Sequence, residues 1–343
     1  MLYTDAETAA PAIAECLTGK QHVLLITHVN PDGDAIGSLL GLGLSLEARG
    51  HAVTMLAPTP LPLYVTRLGG VERIEVYSKS AVYSETLALP ESVDLIMLVD
   101  TGDVRRIARI YEDNPAYIDS RPLAVIDHHA TNSGEGLVNL VDASLSSTCE
   151  LLYRLLRAWN STITPHIATA LLMGVITDTQ SFKTSNTTPS ALRTAADLIE
   201  LGADRELIMR DVYSNIRFET AKLLSLALSE LRRDGSIAWT HVTQVMQRSV
   251  GADDDAAAEV TEYIAGLGGL RATALFKERR DGSVKISLRS VPGVDVAAVA
   301  QQFGGGGHRQ AAGATLAGPL HEAEERLLAV LRAAVSEPKE KHV

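Results

Sequence analysis

Four unbroken apolar runs mark the first part of the chain: "HVLLITH" (22–28), "HAVTMLA" (51–57), "VDLIMLVD" (93–100) and "PLAVIDH" (122–128). Runs of this length without polar alternation are the pattern of strands covered on both faces. Between the first two, "DAIGSLLGLGLSLEARG" sets Ile36, Leu39, Leu40 and Leu44 at helical spacing, with Gly50 as a stop signal. Strand, helix and strand in this order predict a parallel sheet with helices on both faces. From about Ser146 to Arg232 the pattern turns helical, and residues 188–232 are expected to connect a first domain (1–187) to a second (233–335). The second domain returns to strands at "SIAWTHV" (236–242), "RATALFKER" (271–279) and "SVKISLRS" (283–290), the last two joined by the turn signal "RDG". With "DAAAEVTEYIAGL" and "PLHEAEERLLAVLRAAV" as helices, it reads as a smaller α+β domain. The charged tail 336–343 is expected to fray.

Doubly covered parallel sheets bind ligands at the carboxyl ends of their strands. Three polar clusters end the strands of the first domain: His28 to Asp34, Asp100 to Asp103, and Asp127 to His129. A fourth candidate is Asp178, where an apolar helical run meets a polar loop. Ionised carboxylates gathered at a strand end cost desolvation unless they are paired or metal-bound. Carboxylates mixed with imidazoles, without thiolates, suit Mn²⁺, Mg²⁺ or Fe²⁺. Five or more such groups from four segments exceed the need of one ion with open positions. Two ions sharing a carboxylate is the economical arrangement, and two-metal sites activate water and clamp phosphoryl oxygens.

Composition narrows the classes. With 343 residues, 46% of them hydrophobic, the chain is long enough for two cores. No apolar run approaches the roughly 18 residues of a membrane span, and the acidic beginning "MLYTDAETAAPAIAE" lacks a basic leader. Cys16 and Cys149 are too few for a disulfide framework and read as core residues. The expectation is a cytoplasmic protein without a membrane partner. A net charge of −11 argues against wrapping long DNA or RNA. The charge is uneven: residues 271–310 hold seven Lys/Arg against three Asp/Glu, a balance of +4 that leaves −15 on the remainder. A local basic site suits a small anionic ligand.

"HVNPDGDAIGS", "VDTGD", "IDHH" and "TDTQSF", in that order, resemble the four motifs of the DHH phosphoesterase family, and "FGGGGHRQAAGA" (303–314) resembles the signature of its accessory DHHA1 domain. Order, spacing and length are similar to the subfamily of bifunctional oligoribonucleases that also act as 3′-phosphoadenosine 5′-phosphate phosphatases. The resemblance implies an active site in the cleft between the domains, which would hydrolyse RNA of about two to five nucleotides. It implies one Mn²⁺ on His28, Asp32 and Asp100, and a second on Asp34, Asp100, His128 and Asp178. Mg²⁺ or Co²⁺ would be substitutes. His129 would face the scissile phosphate, and Asp127 would orient the histidines. Gly33 would permit a turn that a Cβ obstructs. The family also places an arginine at Arg289 for phosphate or base, and Arg271 carries the same proposal.

In the second domain the glycine run 304–307 lies between apolar segments, inside a folded unit rather than a linker. Gly305, Gly306 and Gly307 would let backbone N–H groups approach an anion, with His308 as a side-chain donor. Lys285, Ser287 and Arg289 share one strand face by period two; for Lys285 a solubilising edge charge is the bland reading. Asp103 reads as a helix cap rather than a ligand. Two other readings stay open: a phosphodiesterase for linear signalling dinucleotides such as pGpG or pApA, and a catalytically silent nucleotide-binding regulator. Attack polarity, base preference and oligomeric state, a homodimer included, are not legible.

Overall fold

The computed structural model describes residues 1–77, 87–132, 134–214, 216–254 and 256–336. The chain divides into two compact units, residues 1–215 and 216–343.

Unit 1 is built on a seven-stranded, all-parallel sheet. Its strands are β1 (Leu2–Tyr3), β2 (His22–Ile26), β3 (Ala52–Ala57), β4 (Ile74–Val76), β5 (Leu95–Val99), β6 (Leu123–Asp127) and β7 (Val138–Val141), in the order β1-β7-β6-β5-β2-β3-β4. The four apolar runs became β2, β3, β5 and β6, the interior of the sheet. Its helices are α1 (Ala6–Leu17), α2 (Gly33–Ala48), α3 (Arg109–Asp113), α4 (Pro115–Asp119), α5 (Thr148–Ala158), α6 (Pro165–Asp178), α7 (Pro189–Glu200) and α8 (Arg205–Tyr213). Alternation along the strands feeds two cores. Leu25, Met97 and Ile126 join α1, α2, α5 and α6 on one face, while Leu24, Ile96 and Val125 meet Ile110 and Ile118 of α3 and α4 on the other.

The contact of α2 with α6 matters most for the site. Gly33, Gly37 and Gly41 form a stripe at four-residue spacing, and a Cβ on any of them would collide with α6. At Gly37 the obstacle is the Ala170 carbonyl; at Gly33 it is Thr177, whose Cγ2 and Oγ1 would lie 2.5 Å away. Gly33 is therefore needed for close helix approach. It opens α2 without a left-handed φ, so the obstacle to a Cβ is Thr177 of α6 rather than a turn.

Unit 2 holds a six-stranded mixed sheet with the order β12-β13-β11-β10-β9-β8. The strands are β8 (Arg232–Asp234), β9 (Ile237–Val242), β10 (Ala272–Glu278), β11 (Val284–Ser290), β12 (Gly306–His308) and β13 (Ala311–Leu316). The helices are α9 (Phe218–Ser229), α10 (Gln244–Val250), α11 (Ala256–Ala265), α12 (Val296–Gln301) and α13 (Leu320–Ser336). Phe276, Ile286, Leu288 and Ala314 pack under α12 and α13. Leu275 and Val242 pack against α9 and α11 on the other face. The stretch 188–232 is divided between the units, since α7 packs with the core of unit 1 and α9 with that of unit 2. An amphipathic helix carries no mark of which core it will join. Beyond Ser336 the expected frayed tail lies outside the described residues.

Candidate metal centre and substrate surface

Every acidic and imidazole candidate of unit 1 sits at a strand end or helix end on one side of its sheet. His28 follows β2, Asp100 follows β5, and Asp127 closes β6 just before His128 and His129. Asp32 is the N-cap of α2; its Oδ1 accepts from the Asp34 and Ala35 N–H groups at 3.0 and 3.1 Å. Asp178 is the last residue of α6.

Two triads emerge. His28, Asp32 and Asp100 form one, and Asp34, His128 and Asp178 the other, each with ligand atoms within 4.8 Å of one another. His28 Nε2 lies 3.3 Å from Asp100 Oδ2. His128 Nε2 lies 3.3 Å from Asp178 Oδ2, 3.8 Å from Asp100 Oδ1 and 3.9 Å from Asp34 Oδ2. Asp100 therefore reaches both triads, one carboxylate oxygen toward each. Atoms bound about 2.1 Å from one octahedral ion lie roughly 3–4 Å apart, so these separations fit a shared cation. Among the described residues no Lys or Arg pairs with Asp34, Asp100 or Asp178, so the negative charge is left for a metal to balance.

Hydrogen bonds orient the donors, while burial and mutual charge shift their protonation. His28 Nδ1 donates to the Val29 carbonyl at 2.9 Å, which turns the Nε2 lone pair toward Asp100. Burial lowers the His28 pKa and keeps the ring neutral. Asp34 is completely buried, and its two oxygens accept from the Thr148 and Cys149 N–H groups at 2.7 and 2.9 Å, at the start of α5. Burial, with Asp178 adding to it, still pushes the Asp34 carboxyl up to about 7. Burial and neighbouring Asp34 raise Asp100 well above the ordinary carboxylate range. For His128 burial works downward, but the hydrogen bond to Asp178 and the charge of Asp34 prevail and carry it to about 9. Such mutual dependence is what a divalent cation relieves.

Asp127 serves differently. Its Oδ1 accepts from His129 Nδ1 at 2.7 Å and from the His128 and His129 backbone N–H groups at 2.8 and 3.2 Å; its Oδ2 accepts from Asn132 Nδ2 at 2.8 Å. Burial opposes its ionisation, yet the His129 hydrogen bonds hold its pKa below the ordinary value. The Nδ1–H of His129 is thereby fixed on Asp127 and Nε2 is left outward on a side chain about one-third exposed. Asp103 caps the short helical turn that follows it, as its bland reading had it.

Sequence reasoning missed Thr148, which donates its hydroxyl to Asp100 Oδ1 at 2.8 Å while its N–H binds Asp34. It also missed Gly174, where a Cβ would strike the Asp34 carboxylate. "SSTCE" signals only a helix start, with Ser147 as N-cap accepting from the Glu150 N–H. Asp100 itself has φ +59°, strained for a side-chain-bearing residue, and the Thr148 bond helps hold it.

In unit 2, strand register aligns most of the expected substrate residues. His308, Ala311, Arg289 and Thr273 form one cross-strand row; Gly306, Gly313, Ser287 and Leu275 form the next on the same face. Toward Leu275 this face is covered by α11, whose Glu262 pairs with Arg289 Nη2 at 2.7 Å. At Gly306 a Cβ would meet nothing within 4 Å, so that floor is open. Gly305 and Gly307 are small for another reason, since a Cβ on either would strike the backbone of β13. Arg271 is not brought into the group. Its guanidinium donates to the Val335 carbonyl of α13, on the opposite face of the sheet.

The family model for the DHH family N-terminal domain matches residues 22–175, and that for the DHHA1 domain matches residues 241–337. The bifunctional oligoribonuclease and PAP phosphatase NrnA of Thermus thermophilus is 32% identical over 329 residues, covering 93% of this chain and 92% of that protein. The chain belongs to the DHH family, and carries the DHHA1 domain with it. The cyclic-di-AMP phosphodiesterase PdeA of Listeria monocytogenes is 27% identical over 341 residues, 96% of this chain but 50% of that protein. A crystal structure of an exopolyphosphatase-related protein from Bacteroides fragilis shares the fold with a TM-score of 0.83, at 23% identity and covering 95% of this chain and 96% of that one. As a DHH phosphoesterase the protein is a hydrolase of nucleotide or nucleic-acid phosphoesters. No helix among the described residues is long and apolar enough to cross a membrane.

Proposed function

We propose that this protein is a manganese-dependent phosphoesterase that degrades RNA of about two to five nucleotides to mononucleotides and removes the 3′-phosphate of 3′-phosphoadenosine 5′-phosphate. The observation that carries the reading is the pair of His/Asp triads reached by the two oxygens of Asp100. His28, Asp32 and Asp100 would hold one Mn²⁺, and Asp34, Asp100, His128 and Asp178 the other. Bound divalent ions supply an activated water and neutralise charge on phosphoryl oxygens. His129, oriented by Asp127, offers its outward ring edge to a phosphate oxygen. Arg289, His308, Ser287 and the open backbone at Gly306 would bind the nucleotide, with Glu262 holding the Arg289 guanidinium extended until substrate arrives. A few cationic groups neutralise a few phosphates, so longer strands gain little and meet an acidic surface.

The likeness to PdeA favours a second reading on the same residues, hydrolysis of signalling dinucleotides. One experiment covers both. End-labelled RNAs from dimers to about 24 nucleotides, 3′-phosphoadenosine 5′-phosphate, pApA and cyclic di-AMP are incubated with Mn²⁺ or with chelator. The first reading expects rapid Mn²⁺-dependent loss of dimers to pentamers and release of phosphate from the mononucleotide substrate. A 24-mer degraded as fast as a dimer contradicts it, and activity on pApA or cyclic di-AMP alone replaces it with the second.

A further inference from the structure

We propose that the cavity at the β10–β11 hairpin of unit 2 is a second phosphate-binding site, for an anion carrying two or more phosphate groups. The cavity measures about 450 Å³, within the range of small-ligand sites. Arg248 enters it from α10, and Arg279 and Arg280 from the hairpin, beside Gly282 and the Gly318–Leu320 segment. It lies apart from the Ser287–Arg289–His308 surface. Thr273, in the Arg289 row, and Glu278, at the cavity, are five residues apart on β10, roughly 17 Å along the strand.

What distinguishes these three arginines is the lack of a hydrogen-bonded or close ion-paired partner, Arg279 and Arg280 feeling Asp281 and Asp254 only at longer range. None of their guanidiniums makes a hydrogen bond, ion pair or ring contact among the described residues. The other arginines of unit 2 all do: Arg217, Arg232, Arg289, Arg309 and Arg332 pair with carboxylates, Arg233 and Arg271 donate to carbonyls, and Arg326 lies over Phe303. Nearby acids are already engaged. Glu278 accepts from the Gln244 N–H at 3.0 Å, Asp281 from Ser283, and Asp254 pairs with Lys277 at 2.8 Å. In a chain with net charge −11, three arginines lining one cavity against the single carboxylate of Glu278 form a local excess of positive charge.

The lining also selects the ligand's chemistry. Guanidinium forks match phosphate oxygens in pairs. No aromatic side chain lines the cavity, so a base has no platform to stack on. The phosphates, not the base, would be recognised, whether they come from a free polyphosphate or from the backbone of a nucleotide strand.

The test uses the full chain in chelator, so that no substrate turns over. Titration calorimetry with tripolyphosphate compares wild type, an R248Q/R279Q/R280Q variant, the single Arg280→Gln variant, and Arg193→Gln, an exposed arginine of α7, as a control outside both surfaces. The triple variant is expected to bind at least about tenfold more weakly, Arg280→Gln to fall between, and Arg193→Gln to match wild type. A tetranucleotide RNA in the same assay separates the sources. Weakening in the triple variant assigns the site to strand backbone, and weakening of tripolyphosphate alone assigns it to free polyphosphate. Because all three side chains are exposed, a matching thermal melt shows that the variants fold. Unchanged tripolyphosphate binding in the triple variant, equal loss in Arg193→Gln, or no binding by wild type overturns the proposal.

Discussion

The two units present opposite solutions to placing charge. In unit 1 the charged groups are buried, like-signed and pinned: Asp34 and Asp100 are almost wholly inaccessible and held by α5 through Thr148 and Cys149. In unit 2 they are positive and more accessible: His308 is exposed on the edge strand β12, and half-buried Arg289 on β11 donates to Glu262 and to the Leu288 carbonyl. Burial makes a charge costly alone and strongly responsive to a cation. Exposure makes it inexpensive and weakly responsive to any one ligand. On the proposed function, the chemistry would belong to unit 1 and adjustable affinity to unit 2.

The largest effect should come from the shared carboxylate. Asp100→Ala should reduce turnover of a short RNA to the chelator-treated background while circular dichroism shows a folded protein. Near-normal rates with Mn²⁺ would break the comparison at its strong end.

Next is the pH response of the metal-free protein. Asp34 is raised to about 7 in the fold against an ordinary value of 3.8, and Asp100 is raised as well. A raised carboxyl contributes stability that is full below about pH 4 and is lost as pH climbs through about 7. Chelated protein should therefore melt progressively lower across that window, and Mn²⁺ should remove the trend. A flat profile in chelator would show that the carboxylates carry no such cost.

Thr148→Val should weaken metal binding or turnover about 10- to 100-fold by releasing Asp100, with Thr148→Ser restoring most of it. Equal loss in both variants would assign Thr148 to packing alone. Arg289→Ala and His308→Ala should raise KM with kcat nearly kept, each by about 1.5–3 kcal/mol of binding. The smallest structural effect is expected at Gly306→Ala, which meets open space and should leave the melt unchanged. Gly33→Ala, pressed on Thr177, should cost about 1–3 kcal/mol of stability.

Much of unit 1 was legible because buried parallel strands are written as continuous apolar runs and their ends as polar punctuation. His28, Asp100 and Asp127 could be placed from that grammar alone, and Asp178 needed the family resemblance. Thr148 was not legible. Its residue type and position satisfy a helix start, and a second hydrogen bond to a residue 48 positions away leaves no local trace. In unit 2 the glycine run concealed β12, and "AAGATL" concealed β13, since small residues carry little alternation signal. That pairing decides which glycines face the open floor. Arg271 and Arg289 looked alike as basic residues near strands, yet one reaches round to α13 while the other stays beside α11.

The division of labour is tested most directly by steady-state kinetics on one RNA dinucleotide with Mn²⁺, comparing wild type, Asp100→Ala and Arg289→Ala. The account predicts loss of kcat in Asp100→Ala, and a raised KM with kcat largely retained in Arg289→Ala. A kcat collapse in Arg289→Ala as deep as that in Asp100→Ala, or a KM change alone in Asp100→Ala, would contradict it.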